Sequence, residues 1–391
     1  MNQLRKLFRA LPLAALLATT LPGLAAAEIV QVKGTGQYTM SKYETVDIAQ
    51  QRALKEAERQ AVEQAGVYIE SYTKTKDLQV VADEITAVAS NILKIQDKKF
   101  ENSLDQAGNI TVIASIQASV DTDAAVQGLR RGDVGEITDK YNKLQAEYEA
   151  QAAELRALKE KMNTAASPQE EQAIQAEVQA VDNTFQAVEK NSAAIRAEYE
   201  GRFDEALSLY GEAIRLNPNA LEPRVNRSRL LMMVKGQPQA ALEDCNVAVR
   251  LAPNNPLVRY NRGYVYWQLG RGEESIAEFD AAIRLNPNYG EAYSNRGYAH
   301  YHRQELVLAR QDFEKAASLL PTNPDVFIKL GVVCYAQKDF QAALQAINQA
   351  IALAPNNGMC YYNRALVYQQ LGNAAAAAAD WQRAQALGYA G

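Results

Sequence analysis

Histidine is almost missing from this chain, and cysteine is scarce. His300 and His302 are its only histidines, and Cys245, Cys334 and Cys360 its only cysteines. Two histidines two positions apart on a helix point in different directions, so they do not chelate together. No metal cluster, nucleophile elbow or paired-acid motif is visible. The expectation is therefore no catalytic residue, no metal and no cofactor. An odd, sparse cysteine count is not a disulfide framework. Positive charge is also in short supply. The 41 Lys and Arg against 46 Asp and Glu leave a formal net charge of −5. An acidic balance argues against a nucleic-acid partner, which calls for a basic patch.

Long apolar runs are missing too, with one exception at the start. Arg5, Lys6 and Arg9 form a basic head, an apolar run follows from Leu11 to about Leu21, and "GLAAAE" ends it. That layout reads as a secretory signal peptide over 1–27, cut after Ala27. The run is short for a membrane span of roughly 20 residues. No cysteine follows the cut to carry a lipid. The expectation is a periplasmic or secreted protein with no transmembrane segment in its mature part.

What the chain does have is a repeat. "AIRLNPN" at 213–219 returns at 282–288, with near-copies "VRLAPNN" at 249–255 and "IALAPNN" at 351–357. Pro218, Pro253, Pro287, Pro321 and Pro355 are spaced 35, 34, 34 and 34. Small residues and aromatics keep fixed places inside each period: Gly263, Tyr266, Ser275, Phe279 and Ala282 in one unit, Gly297, His300, Ala309, Phe313 and Ala316 in the next. This pattern resembles the tetratricopeptide repeat (TPR), over roughly 187–391 in about six units. Each unit is then two antiparallel helices. Small residues let the helices approach, and the Asn-Pro pair stops the second helix. Cys245 and Cys334 fall on core positions, and a Cys334–Cys360 bridge is left open. The unit 221–253 holds one extra residue before Gly236, which predicts a bulge or a longer turn there.

The resemblance implies a concave groove lined by the first helix of each unit. Its groove positions map here onto Asn226, onto Tyr260, Asn261, Tyr264, Trp267 and Gln268, and onto Asn295, Tyr298, Tyr301 and His302. They continue with Lys329 and Tyr335 and end with Tyr362 and Asn363. Asparagine recurs at one place in the series, interrupted by Lys329. An amide both donates and accepts, so it suits an extended peptide backbone. Tyrosine and tryptophan beside it offer broad contact with few rotors. Helix packing alone is the competing reading of the same asparagines.

Ahead of the repeats, apolar residues from Ile137 to Met162 and from Ile174 to Tyr199 keep alternating 4 and 3 spacing, with Gln151 in one core place. That is heptad rhythm. "SPQE" at 167–170 reads as a helix restart, with Ser167 as cap, Pro168 at the first helical place and Glu170 closing a capping box. The segment 131–186 is thus a helical hairpin or coiled coil. An oligomer through the coiled coil is the alternative to a hairpin.

Residues 28–130 read as a small α/β domain. "EIVQVKGTGQY" suggests a strand with a glycine-marked turn. A helix is expected over 43–65, with Ala49, Ala53, Ala57, Ala61 and Ala65 on one stripe, and a second over about 77–90. Two strands then flank "DQAGN", the latter alternating cleanly from Ile110 to Val120. "RALKEAERQAVEQAGVYIES" at 52–71, "VADEITAVASNILKI" at 81–95 and "GNITVIASIQASV" at 108–120 resemble the N-terminal domain of the flagellar assembly protein T family. That resemblance implies a periplasmic domain that helps build an envelope assembly.

The fold class expected is mainly α: a TPR superhelix preceded by a long helical hairpin and a small α/β N-terminal domain. The function expected is a non-enzymatic adaptor that binds protein partners through the groove and joins an envelope complex by its N-terminal domain. The alternatives are a self-oligomerising scaffold and a coordinator of cell-division or peptidoglycan enzymes.

Overall fold

The computed structural model describes residues 29–40, 44–75, 81–104, 109–130 and 134–389. The expected signal peptide and most of the expected turn at 105–109 lie outside them. The chain divides into two compact units, 1–182 and 183–391, and the division falls inside one helix.

In the first unit, strands β1 (Ile29–Thr39), β2 (Lys94–Leu104) and β3 (Ile110–Asp121) form an antiparallel sheet in the order β1-β3-β2. Helix α1 (Val46–Thr75) lies on it, followed by α2 (Ala82–Ile92) and α3 (Thr122–Leu129). The expected glycine-marked turn in the first strand does not occur: β1 runs straight through Gly34 and Gly36. Their role is close approach. A Cβ on Gly34 would sit 1.8 Å from the Ala57 carbonyl oxygen, and one on Gly36 2.0 Å from that of Ala53. The alanine stripe of α1 therefore rests on bare strand backbone, and Ala49, Ala53, Ala57, Ala61 and Ala65 are all fully buried. Val112, Ala114, Ile116, Ala118 and Val120 of β3 complete this core.

Helix α4 (Val134–Thr164) and the start of α5 (Pro168–Tyr199) also belong to this unit. They fold back on each other, with Leu155 and Leu158 sharing a core with Ile174, Val178 and Val181. The Ser167 hydroxyl accepts from the Glu170 amide (3.2 Å), and the Glu170 carboxylate accepts from the amide of Ala166 (2.8 Å). The restart thus reaches back one residue further than an ordinary capping box. Sequence reading missed how the hairpin is fastened. Glu44, with no side-chain exposure, accepts from Tyr38 and pairs with Lys159 at 3.2 Å. Arg52 donates to Asp182 at 2.8 Å, both almost fully buried. Burial pushes the Asp182 carboxyl above its usual range even against Arg52.

The second unit is built of helical hairpins. The end of α5 pairs with α6 (Phe203–Leu216). Then come α7 (Glu222–Met233) with α8 (Pro238–Leu251), α9 (Pro256–Gln268) with α10 (Gly272–Leu285), and α11 (Gly290–His302) with α12 (Leu306–Leu319). Next are α13 (Pro324–Ala336) with α14 (Phe340–Leu353), and α15 (Gly358–Gln370) with α16 (Ala374–Ala386). Tyr210, Phe279 and Phe313 are almost fully buried between helices. Burying a side chain of that size is worth about 2–3 kcal/mol. The extra residue in the second hairpin is absorbed by its turn, which takes residues 234–237 where the others take three. Each such turn needs one residue in the left-handed region. Gly236, Gly270 and Gly372 fill it freely, whereas Gln304 and Lys338 adopt φ of 63° and 62°.

Candidate peptide-binding groove

The first helices of successive hairpins contact one another in series, α7 with α9, α9 with α11, α11 with α13 and α13 with α15. This stacking sets the asparagine series side by side, and the structure divides it. Asn226 donates to Asn191 (3.3 Å), and Asn295 donates to the Tyr260 hydroxyl (2.8 Å). Lys329, at the equivalent place, donates to the Ser294 hydroxyl (3.0 Å). Each of these bonds ties one first helix to the one before it. The side chains of Asn261 and Asn363 make no hydrogen bond with the described residues, so their amides are available to a ligand.

The aromatic residues divide in the same way. Tyr260 is stacked between Phe279 (5.8 Å) and Tyr289 (5.0 Å), and burial pushes its hydroxyl up to about 12. Tyr335 packs on Phe340 at 5.6 Å, and Tyr362 on Tyr389 at 5.4 Å. These three hold helices together. Trp267 and Tyr298 instead meet edge to face at 5.3 Å in a patch on α9 and α11. His302 is its hub, at 5.2 Å from Trp267, 4.5 Å from Tyr298 and 5.7 Å from Tyr301. The Lys329 ammonium lies 5.7 Å from the Tyr298 ring centre. Burial lowers its pKa. Tyr264 lies on the α7 side of this patch. With Met232, Met233 and Gln268 it lines an open hollow of about 420 Å³ beside the long turn. A neighbouring recess against Asn261, Arg229 and Ser228 holds only about 40 Å³, too little for a small-molecule ligand.

Beneath this surface runs a feature that sequence reading missed. Arg227 is bidentate to Asp244, Arg296 to Asp312 and Arg364 to Asp380, all at 2.6–2.9 Å, and Arg262 pairs with Glu278 at 2.5 Å. Three of these arginines also reach back to the preceding hairpin: Arg262 to Asn246, Arg296 to Asp280 and Arg364 to Asn348. The signal was an arginine directly after each series asparagine with an acid sixteen places on, or seventeen for Arg227 in the hairpin with the surplus residue. Leu330 and Ala346 occupy the equivalent places on α13 and α14 and break the run.

Cys245, Cys334 and Cys360 are buried free thiols, so the bridge left open for Cys334 and Cys360 is not formed. Burial raises Cys245 to about 11. Among the described residues no group of three or more His, Cys, Asp or Glu could hold a metal ion. No described helix is long and apolar enough to cross a membrane.

Sequence models of the tetratricopeptide repeat match residues 191–256, 260–324 and 324–357. The second unit therefore carries tetratricopeptide repeats, stacked as a superhelix, and such arrays are generally scaffolds for protein–protein interaction. One similar curated protein is the TPR repeat-containing thioredoxin TDX of Arabidopsis thaliana, 34% identical over 87 residues, 22% of this chain and 23% of that protein. The chain thus spans about a quarter of that relative's length. Solved structures of similar shape include Pseudomonas aeruginosa PilF (16% identical, TM-score 0.48, 52% of this chain and 93% of that one). Another is PilW, described as a widely conserved type IV pilus biogenesis factor (20%, 0.48, 51% and 92%). A third is YrrB, described as a TPR protein with an unusual peptide-binding site (20%, 0.39, 46% and 91%). The repeat assignment rests on the sequence matches and the 34-residue period.

Proposed function

We propose that the protein is an exported, non-enzymatic adaptor that holds an extended peptide, or the unstructured tail of a partner protein, along its first helices. The observation that carries this reading is the patch of Trp267, Tyr298, Tyr301 and His302, flanked by Lys329 and by the unbonded amide of Asn261. Such a surface offers rigid aromatic contact area together with a backbone-pairing amide. Export is supported by the basic head, apolar run and small-residue cut at 1–27. The resemblance of residues 52–120 to the flagellar assembly protein T domain supports docking of the first unit on an envelope assembly. A photocrosslinker placed at Tyr264, in the envelope of the source organism, tests the groove. The expected result is a discrete adduct with a second protein that is lost on Trp267→Ala or Asn261→Ala. Self-crosslinks alone, or an adduct indifferent to both substitutions, would overturn the reading. The second reading, a self-oligomerising scaffold, is favoured by the unpaired sheet edge in the first unit.

A further inference from the structure

Strand β2 is an edge strand, bonded to β3 on one side and, among the described residues, open on the other. It is exposed along its length except at half-buried Phe100. Exposed edges of this length are templates for pairing, and proteins usually blunt them with charge. Here the charges are of both signs and are unspent. Asp97, Lys98, Lys99 and Glu101 make no hydrogen bond or ion pair with the described residues. The other edge strand, β1, carries Lys33 as its only charge.

We propose that β2 is a self-recognition edge, which pairs antiparallel with β2 of a second copy about a two-fold axis at Phe100. In that register Phe100 faces its own copy. Lys99 faces Glu101 and Glu101 faces Lys99, giving two ion pairs on one face of the ribbon. Lys98 faces Asn102, and Asp97 faces Ser103. Side-chain alternation permits only shifts of two in the summed register, because a shift of one sets residues of opposite faces against each other. One permitted step puts Lys99 on Lys99 and Asp97 on Glu101. The step in the other direction puts Glu101 on Glu101 and leaves Lys99 opposite Ser103. Like charges directly opposite are destabilising and opposite charges favourable, so the register at Phe100 is selected by charge. The irregularity between Ile95 and Asp97 ends the regular edge just outside the paired stretch. The product is a continuous sheet in the order β1-β3-β2-β2-β3-β1. An isologous contact of this kind closes on itself, so it stops at a dimer. This inference is independent of the groove.

Sedimentation of the full chain over a concentration series tests it. The expected result is a concentration-dependent dimer, which Lys99→Glu weakens by about tenfold or more through two like-charge pairs. The swap Lys99→Glu with Glu101→Lys restores it. Lys99 and Glu101 are exposed, so the fold of the monomer is not at stake in the swap. Phe100→Cys gives a disulfide-linked dimer under mild oxidation, whereas Lys98→Cys, which faces Asn102, does not. A wild-type chain that stays monomeric, or a dimer that ignores both the charge swap and the Phe100→Cys link, would overturn the proposal.

Discussion

The hairpin α11–α12 and the hairpin α13–α14 are successive repeats of one array, yet different forces hold them. In the former, Arg296 grips Asp312 and reaches back to Asp280. In the latter, the same two places hold Leu330 and Ala346, and the polar tie has moved to the turn end. There Arg310 pairs with Asp339 at 3.0 Å, and Gln337 donates to the Leu306 carbonyl at 3.1 Å. The exchange leaves a continuous apolar core of Ala309, Phe313, Val333, Cys334, Ala343, Ile347 and Val367 across four helices. Replacing a buried ion pair by apolar residues of fitting volume is often neutral or stabilising. The comparison teaches that one repeat geometry accepts either solution, provided both partners change together.

Breaking one partner alone is the sharpest way to test that lesson. Asp312→Ala leaves the Arg296 guanidinium with Asp280 alone beside a buried gap and is expected to cost about 3 kcal/mol. Amide exchange in α12 reads the loss locally, which suits an array whose units need not unfold together. Ala346→Asp, a lone carboxylate set against Leu330, is expected to cost a similar amount, about 3 kcal/mol. Adding Leu330→Arg brings the double variant back to within about 1 kcal/mol of the wild type. An unrecovered double variant would mean that the two hairpins differ in backbone as well as in side chains.

Lys329 is the second point of difference, because it stands where the neighbouring first helices carry asparagine. Burial holds its pKa down, so its charged form is disfavoured in the folded chain. The unfolded chain binds this proton more tightly, and the contribution to stability is least favourable at neutral pH. It improves as pH rises through the folded pKa toward the ordinary lysine value. Lys329→Asn should therefore stabilise α13 by under about 1 kcal/mol at neutral pH. That advantage over the wild type should shrink in alkaline solution, as thermal melts across a pH series would register. The smallest effect belongs to the turns. Lys338→Gly relieves a left-handed side-chain conformation and should raise stability by about 0.5–1 kcal/mol. Gly270→Ala, at the matching turn of α9–α10, should lower it by as much, both by denaturant midpoint.

Much of the second unit was legible because its period is strict. Prolines, small residues and aromatics recur at fixed places, and even the longer turn at 234–237 announced itself as one surplus residue. The groove was legible only in outline. "NRG" stands at both 261–263 and 295–297, yet Asn295 is bonded and Asn261 is not. What decides is the residue one place before the series position on the preceding first helix, which for Asn261 is the apolar Val225. Tyr260 offers a hydroxyl to Asn295, as Ser294 does to Lys329, whereas Ile328 offers nothing to Asn363. Local sequence does not contain that neighbour. The arginine clamps escaped notice for a related reason, since charged residues on helices read as solvated faces until the partner sixteen or seventeen places on is brought opposite. Gly34 and Gly36 were misread because glycine in a strand signals either a turn or a close approach. Only the docking of the α1 stripe separates the two.

The two kinds of joint also answer differently to temperature. Apolar contact weakens on cooling, whereas the cost of desolvating paired charges falls on heating. The seam around Phe313 and Ile347 should therefore be the first in the array to loosen in the cold, and the arginine-clamped seams should keep their grip longer as the solution warms.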